Sequence, residues 1–291
     1  MEEVLSKARS DQKIYINLKG FVYPIIIPII FLFVWQVSSV KIDNKIILPS
    51  IIQVLDVLTN PTKDLLSMGS LISNVFISII RVSIGYILAA LIAIPLGVII
   101  GYSKKAEELS MTFLNSFRPI APLAWVPLVL AWFGTSSMAS FFGFDSGVLY
   151  IFFSNIKNAM IFIIFIGAFY PILTNSIYGV KSVRKILIDS SLTLGANKLE
   201  IILKVLLPAA MPSIVTGLRV GLGIAWMCLV SAEMLPGSIA GIGYLINHAY
   251  TIARTDVVIS GMIAISIVGG IFNYMFIIIE KKFFKWESLS N

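Results

Sequence analysis

The sequence is nearly devoid of cysteine and histidine and is poor in charge. Cys228 and His248 are the only residues of their types, so no disulfide can form within the chain and no Cys/His cluster is available for a metal ion. Charged residues make up 13% of the 291 positions, whereas a soluble protein contains about 25%. Hydrophobic residues reach 58%, and the mean hydropathy is +0.94. This composition predicts a polytopic membrane protein.

Motifs for several activities are also absent. No GxxxxGK[ST] P-loop is present, so the chain cannot hydrolyse ATP itself, and no HExxH or GxSxG signature points to a membrane enzyme. Glu233 is the one plausible carboxylate within the apolar segments. Ion-coupled carriers usually need such buried groups as a relay, so their scarcity argues against autonomous secondary transport. The polar N-terminus lacks an apolar core with a small-residue cleavage site, which predicts a retained signal-anchor and no removable signal peptide.

Six apolar segments are long enough to cross a bilayer, for which about 20 residues are needed. They are residues 21–40, 71–101, 109–134, 159–179, 212–235 and 257–280. With the N-terminus inside, fourteen lysines and arginines fall in inside segments and five in outside segments, which predicts that both termini are cytoplasmic. This asymmetry explains most of the net charge of +7 without nucleic acid as a partner.

These spans divide the chain into four parts. Residues 1–20 are predicted as a cytoplasmic segment and 21–70 as the first span with an outer amphipathic helix. Residues 71–283 form the core of the membrane domain, with a cytoplasmic loop at 180–211, and 284–291 form a cytoplasmic tail.

Two outer segments have patterns of their own. Ser50 and Gln53 form a capping-box pattern before an apolar stripe, which predicts a short helix over 51–59 that lies on the outer surface. Asn60-Pro61 ends it. Residues 134–160 are apolar but irregular, and a seventh span there would put the termini on opposite sides. We therefore interpret them as an interfacial or re-entrant segment.

Three arginines lie within predicted spans: Arg81, Arg118 and Arg219. They are candidates for a positive lining or gate that favours an anionic solute; alternatively, each caps freed backbone carbonyls or reaches a lipid headgroup. The prolines of SFRPIAPLAWVPL, around Arg118, must distort the third helix. Trp226 and Glu233 on the fifth span complete the candidate pathway residues, although a tryptophan there also suits plain packing.

Residues 183–207 carry local helix signals. Gly195 suits the left-handed position that ends one helix, and Asn197 with Glu200 offers a cap and capping box for the next. The second helix is predicted to end before Pro208, and Pro212 to precede the fifth span. The alternative is an ordinary surface loop between two spans.

This stretch resembles the cytoplasmic EAA motif of ABC importer permeases, E-A-A-x3-G-x9-I-x-L-P. The matching positions are Asp189, Ser190, Ser191, Gly195, Val205, Leu207 and Pro208, with Asp for Glu and Ser for Ala. Further stretches are similar to permeases of the nitrate/sulfonate/taurine/bicarbonate group, including LPSIIQVL, RPIAPLAWVPLVLAWFG and LPAAMPSIVTGLRVGLGIAWMCLVSAEML. The resemblance covers most of residues 45–280.

The resemblance implies an all-α, type I ABC importer (MetI-like) permease fold in the cell membrane. Two copies, identical or paralogous, would form a pathway for a small anion. An ATPase dimer carrying ATP and Mg²⁺ would bind the cytoplasmic face, and a solute-binding protein would dock outside. This chain would bind no cofactor. The residues expected to contact the ATPase are Asp189, Ser190, Ser191, Leu194, Gly195 and Ala196.

Two other functions remain open at this point. The same architecture suits a neutral or cationic solute, such as a vitamin precursor. An ion-coupled carrier or membrane sensor without an ATPase is the hypothesis from another class, and association with an ATPase subunit distinguishes it from an importer.

Overall fold

The computed structural model describes residues 25–283. The predicted cytoplasmic segment at 1–20 and the tail at 284–291 lie outside the described residues. Within the described part the regular structure is helical, and β pairing is limited to two isolated bridges. The helices are α1 (Ile25–Ile42), α2 (Ile51–Thr59), α3 (Leu71–Tyr102), α4 (Lys104–Phe117), α5 (Val126–Phe133), α6 (Met138–Phe142), α7 (Gly147–Ser154), α8 (Asn158–Lys181), α9 (Lys185–Thr193), α10 (Lys198–Glu200), α11 (Leu207–Glu233), α12 (Ile242–Thr251) and α13 (Thr255–Phe283).

Five of the described helices are long and apolar enough to cross a membrane. They are α1, α3, α8, the continuous helix Lys198–Glu233, and α13 up to Lys282. The third predicted span is different, because it consists of α4 and a second helical piece, Pro122–Phe133, that meet at 83°. The distortion predicted for the third helix from its prolines is therefore confirmed, and it takes the form of a sharp bend within the span. Pro119 and Pro122 have no N–H to donate, which favours a break of the regular helix between Phe117 and Pro122.

The fifth span also departs from its prediction. The helix that begins after Asn197 does not end before Pro208 but runs on to Glu233. A π-helical turn at Ile201–Leu206 precedes the proline, and the Leu207 N–H donates to the Ile202 carbonyl five residues back. Widening the turn shifts the hydrogen-bond pattern where Pro208 supplies no donor. Pro208 does disturb the regular helix, as its residue type predicts, but the result is a π-helical turn and the helix does not end there.

Residues 134–160 form a short helical hairpin. Helices α6 and α7 have five and eight residues, so the longer one rises only about 12 Å. The hairpin is closed at its base because the Met138 N–H donates to Ile156 O (2.9 Å) and the Asn158 N–H donates to Ser136 O (3.1 Å). Neither helix can span a bilayer. The prediction that no seventh span lies here is confirmed.

The described residues fall into two compact units. The first contains residues 25–61 and 249–260, and the second contains 62–248 and 261–283.

In the first unit, α2 forms as its sequence predicts. The Ser50 side chain accepts from the Gln53 N–H (3.4 Å), and the Gln53 side chain accepts from the Ser50 N–H (3.0 Å). This is the capping box, in which each residue satisfies a backbone donor of the other. The side chains that α2 buries are Val54 and Val57.

The connection between α1 and α2 is tied by side chains of α1. The Trp35 indole N–H donates to Pro49 O (3.0 Å), and the Gln36 carbonyl accepts from the Ile51 N–H (3.3 Å). Ser260, in the same unit, donates to Val54 O (3.3 Å). These bonds fasten α2 to α1 and to the start of α13 within the first unit.

In the second unit, α3, α8 and α11 pack closely through small residues. Gly85, Gly97 and Gly101 of α3 lie against α8, while Gly217 and Gly221 of α11 lie against the other side of α8. A side chain at any of these positions would overlap its neighbour. Small residues let the backbones of membrane helices approach, and this contact replaces the hydrophobic driving force that is missing in lipid. The buried core of the unit lies along α8, between the two other helices.

Gly221 and Gly223 offer a matched test of this packing. A Cβ at Gly221 would lie 2.8 Å from Ile172 Cγ1, whereas a Cβ at Gly223 would meet nothing within 4 Å. We expect Gly221→Leu to lower stability by about 1–3 kcal/mol through overpacking, and Gly223→Leu to stay within about 0.5 kcal/mol. Thermal unfolding of the purified protein in detergent checks both. Equal melting temperatures for the two variants would contradict the close α8–α11 contact.

Candidate functional site

The segment after α9 forms a tightly bonded turn. Helix α9 ends at Thr193, and Gly195 adopts φ +84°. The Gly195 N–H donates to Leu192 O (2.9 Å), and the Ala196 N–H donates to Ser191 O (3.0 Å). This pair of bonds is the Schellman motif, which favours glycine because the left-handed conformation costs other residues energy. The turn thus has one defined geometry, set by Gly195.

The next helix begins immediately, at a capped end. Asn197 Oδ1 accepts from the Glu200 N–H (2.9 Å), and Glu200 Oε2 accepts from the Asn197 N–H (3.1 Å). Lys204 Nζ lies 3.0 Å from Glu200 Oε1. The capping box predicted from the sequence is confirmed. A helix–turn–helix over Lys185–Glu200 is the result, and the alternative of an ordinary loop is wrong.

The residues of this turn are mostly exposed. Asp189 and Ser190 are exposed, Ser191 and Ala196 are half-buried, and Leu194 is 88% exposed. The hydroxyls of Ser190 and Ser191 donate back to carbonyls of their own helix (2.7 Å each). Further apolar side chains are exposed on the same short helices: Ile186, Leu187, Leu192 and Leu199. An exposed apolar patch on a rigid turn is typical of a protein–protein contact.

Arg81 of α3 and Glu233 at the end of α11 form a buried ion pair. Arg81 Nη1 lies 2.6 Å from Glu233 Oε1, and both side chains are 0% exposed. Arg81 also donates to the backbone carbonyls of Asn155 (2.7 Å) and Ala240 (2.7 Å). Of the two interpretations of Arg81, the capping of carbonyls is the one observed. The guanidinium therefore offers no free charge to a solute, and a role in gating stays a prediction.

The carboxylate of Glu233 also accepts hydrogen bonds from uncharged donors. Ser78 Oγ donates to the carboxylate (2.8 Å), and the Gly243 N–H donates to Oε2 (2.9 Å). Asn74 Oδ1 accepts from the N–H of Gly241, which has φ +114°. A Cβ at Gly241 would overlap the Glu233 carboxylate. The loop after α11 is thus fastened to α3 through a polar cluster closed to solvent.

Arg219 and Trp226, the two other pathway candidates on α11, also have partners in the chain. Arg219 Nη1 lies 2.9 Å from Glu280 Oε2 of α13, with both side chains partly exposed. Trp226 is 4% exposed, donates its indole N–H to Ile265 O (3.2 Å) and packs edge-on against Phe272. The packing interpretation of Trp226 is the one observed. It presents no surface to a pathway within this chain.

Arg118 differs from the other two membrane arginines. Its side chain is exposed and has no carboxylate partner among residues 25–283. It borders a cavity of about 350 Å³, lined also by polar side chains of α8: Tyr170, Thr174 and Asn175. These three residues could not be predicted from the sequence, because single polar residues are common in apolar helices and a sequence does not show which residues lie around them.

Other residues of these sites were not predicted from the sequence. Ser78 and Asn74 belong to the polar cluster around Glu233, and Glu280 pairs with Arg219. The glycines of the Gly241-Ile242-Gly243 stretch were the one available signal, since paired glycines often mark a close backbone approach.

Comparison with known proteins agrees with this architecture. The family model described as a binding-protein-dependent transport system inner membrane component matches residues 93–285. A protein of Methanocaldococcus jannaschii, provisionally named as an ABC transporter permease, is 47% identical over 94% of this chain and 95% of its own length. The nitrate import permease protein of Synechocystis sp. is 32% identical over 87% of this chain and 88% of its own length. Relatives at 28–32% identity are named for aliphatic sulfonate, taurine and bicarbonate transport.

A solved structure shares the fold. A chain of the MetNI methionine ABC transporter, in inward facing conformations, superimposes with a TM-score of 0.59 at 19% identity, covering 73% of this chain and 95% of that chain. The described protein is thus a polytopic permease subunit with the type I ABC importer fold, located in the plasma membrane. It belongs to the family of binding-protein-dependent transport system inner membrane components. Membership implies an ATPase and a solute-binding protein as partners.

Proposed function

We propose that this chain forms the translocation pathway for a small oxyanion, of the nitrate, sulfonate, taurine or bicarbonate type, in an ATP-driven importer. The turn at Asp189–Ala196 binds a separate ATPase, which carries the ATP and Mg²⁺, and this chain is not itself catalytic. A second copy of the chain completes the pathway, and a solute-binding protein delivers the anion from outside. Family membership sets aside the ion-coupled carrier and the sensor.

The geometry of the α9 turn is the observation that carries the coupling part of this proposal. The turn has one bonded conformation, exposes Asp189 and Leu194, and leads directly into a helix of 36 residues. A helix of that length is about 54 Å long. A displacement of the turn by an ATPase would therefore reach the far end of α11 as a rigid-body movement, which is how alternating access is commonly driven.

The substrate class is supported by two independent facts. Relatives that cover most of this chain are named for nitrate, bicarbonate, taurine and aliphatic sulfonate transport. In addition, Arg118 keeps a cationic group at a cavity whose described lining contains no carboxylate. This charge attracts an anionic group and repels a cationic solute.

A reconstituted system tests the proposed function. The tagged permease is co-expressed with its ATPase and purified, and ATP-dependent uptake of radiolabelled nitrate, bicarbonate and taurine into proteoliposomes is measured with the solute-binding protein present. We expect the ATPase to co-purify, and we expect at least one of the three solutes, each of which carries an oxyanion group, to accumulate only with ATP. A preparation without bound ATPase would contradict the coupling part. Uptake restricted to a solute without an oxyanion group would contradict this part of the proposal and favour the alternative importer.

A further inference from the structure

The three membrane arginines differ in whether a carboxylate neutralises their charge. Arg81 is neutralised by Glu233 inside the protein, and Arg219 is paired with Glu280. Only Arg118, among the described arginines of the membrane helices, has neither an ion pair nor a carboxylate nearby in its cavity. Ionisable groups inside a membrane are costly unless they are paired or functional. An unpaired guanidinium at this position therefore requires a partner from outside the chain.

The bend between α4 and the helical piece Pro122–Phe133 places Arg118 at the edge of a cavity. Helix α4 ends at Phe117, where the Arg118 N–H makes the last helical bond, to Leu114 O (3.0 Å). Beyond it Pro119 and Pro122 turn the chain by 83° before α5. The bend leaves a gap that α8 and α11 close on the other side, and this gap is the cavity of about 350 Å³. A volume of that size is typical of small-molecule sites.

The polar groups of this cavity are mainly donors. Asn175 donates one amide N–H to Pro171 O (2.8 Å) and so retains its second N–H. Thr174 donates its only hydroxyl proton to Tyr170 O (2.9 Å), which leaves it only acceptor capacity. The hydroxyl of Tyr170 has no hydrogen-bond partner within the described residues, where only the backbone carbonyl of Tyr170 accepts a side-chain hydrogen bond. Together with the five N–H groups of Arg118, this set fits an oxyanion, since guanidinium matches planar or tetrahedral oxygen groups in pairs.

The cavity lies halfway through the membrane helices. Tyr170 is about 18 Å along α8 from its first residue and about 17 Å from its last, and Val220 is at the midpoint of α11. Proteins that work by alternating access bind solutes at this depth, where a site can open to either side. An anion in this cavity would be far from both ends of the helices, so it would depend on donors and positive charge from the protein.

A second cavity continues from the first. It has a volume of about 230 Å³, shares Arg118, Tyr170 and Thr174 with the first, and runs between α4 and α8 as far as Lys181. Lys181 forms an ion pair with Glu107 at that end. The described lining is again cationic or neutral. The two cavities together lead from mid-membrane towards the end of α8 that is predicted to be cytoplasmic.

We propose that Arg118, with the donors of Tyr170 and Asn175, forms an oxyanion-binding site inside the membrane domain. The anion occupies this site after it leaves the solute-binding protein, and it moves on through the α4–α8 cavity. This assignment rests on the proposed anion import. It adds that selectivity for anions resides partly in the permease, and not only in the binding protein.

Uptake by the complete importer in proteoliposomes tests the site, with nitrate, bicarbonate and taurine as probes. We expect Arg118→Gln to lower ATP-dependent anion uptake roughly 10- to 100-fold, because one charged hydrogen-bonding group is lost. Arg118→Lys should be intermediate, since it keeps the charge but not the planar fork. Tyr170→Phe should cost a few-fold. Lys105→Gln, a charge removal on the same helix but outside both cavities, should transport as the wild type does.

Stimulation of the ATPase by the binding protein is measured in every variant, because damaged packing or assembly would lower it and loss of an anion contact would not. Reduced uptake with retained stimulation supports the site. Wild-type uptake in Arg118→Gln would overturn the site and leave anion import intact. Absence of anion uptake in the wild type would overturn the proposed function and the site together. If Arg118→Gln fails to assemble, the Arg118→Lys and Tyr170→Phe complexes decide: full uptake in both overturns the site.

Discussion

Glu233→Gln should destabilise the protein by about 3–5 kcal/mol, the usual effect of removing one partner of a buried ion pair. The substitution keeps the shape of the side chain but leaves Arg81 charged, fully enclosed and without its counter-ion. Since a protein is stable by about 5–15 kcal/mol, this loss is a large fraction of the total. Thermal unfolding in detergent, together with the yield of folded protein, measures it.

A double-mutant cycle separates the pair from its surroundings. Arg81→Met should be about as damaging as Glu233→Gln, because it leaves the carboxylate unpaired. The double variant should recover part of the loss, since an enclosed pair can be replaced by groups without charge at little cost. Arg254→Gln removes an exposed arginine from its pair with Asp256 (2.7 Å) and is the matched control, with an expected effect under about 1 kcal/mol. Wild-type stability of Glu233→Gln would contradict the buried pair.

Gly195→Val should reduce ATP-driven uptake roughly 5- to 30-fold, provided that the α9 turn couples the permease to its ATPase. Gly195 has φ +84°, and this left-handed conformation costs an ordinary residue about 1–2 kcal/mol. A β-branched side chain therefore disfavours the bonded turn. No side chain lies within 4 Å of a Cβ at this position, so crowding is not the cause. Uptake per assembled complex in proteoliposomes is the measurement.

Gly143→Val supplies the control for strain alone. Gly143 also has a left-handed φ, +71°, with nothing within 4 Å of a Cβ, but it lies in the α6–α7 hairpin. It should retain uptake. Gly195→Asn should also transport well, because asparagine tolerates the left-handed region. Unchanged uptake in Gly195→Val, or an equal loss in Gly143→Val, would count against coupling through this turn.

The helix caps and the glycine turn were predicted correctly, because each depends only on residues close together in the sequence. The caps at Ser50 and Asn197 involve residues three positions apart, and the Gly195 turn depends on one backbone angle. The apolar segments were likewise recognisable, since a span needs only length and hydrophobicity. The ends of the helices were predicted less well. Pro122 follows an 83° bend, whereas Pro208 follows a π-helical turn within a continuous helix. Proline removes a donor, and the neighbouring helices decide how the chain responds.

The sequence by itself determined that this protein is a helical membrane protein of six predicted spans with a capped turn, because composition and short-range spacing carry that information. Only the tertiary structure decided which of its arginines are available to a solute. Arg81 finds Glu233 at a separation of 152 positions, and Arg219 finds Glu280 at 61. Arg118 finds no such partner in the described part of the chain. Pairing over such distances depends on how α11 packs against α3 and α13, and no local pattern encodes it.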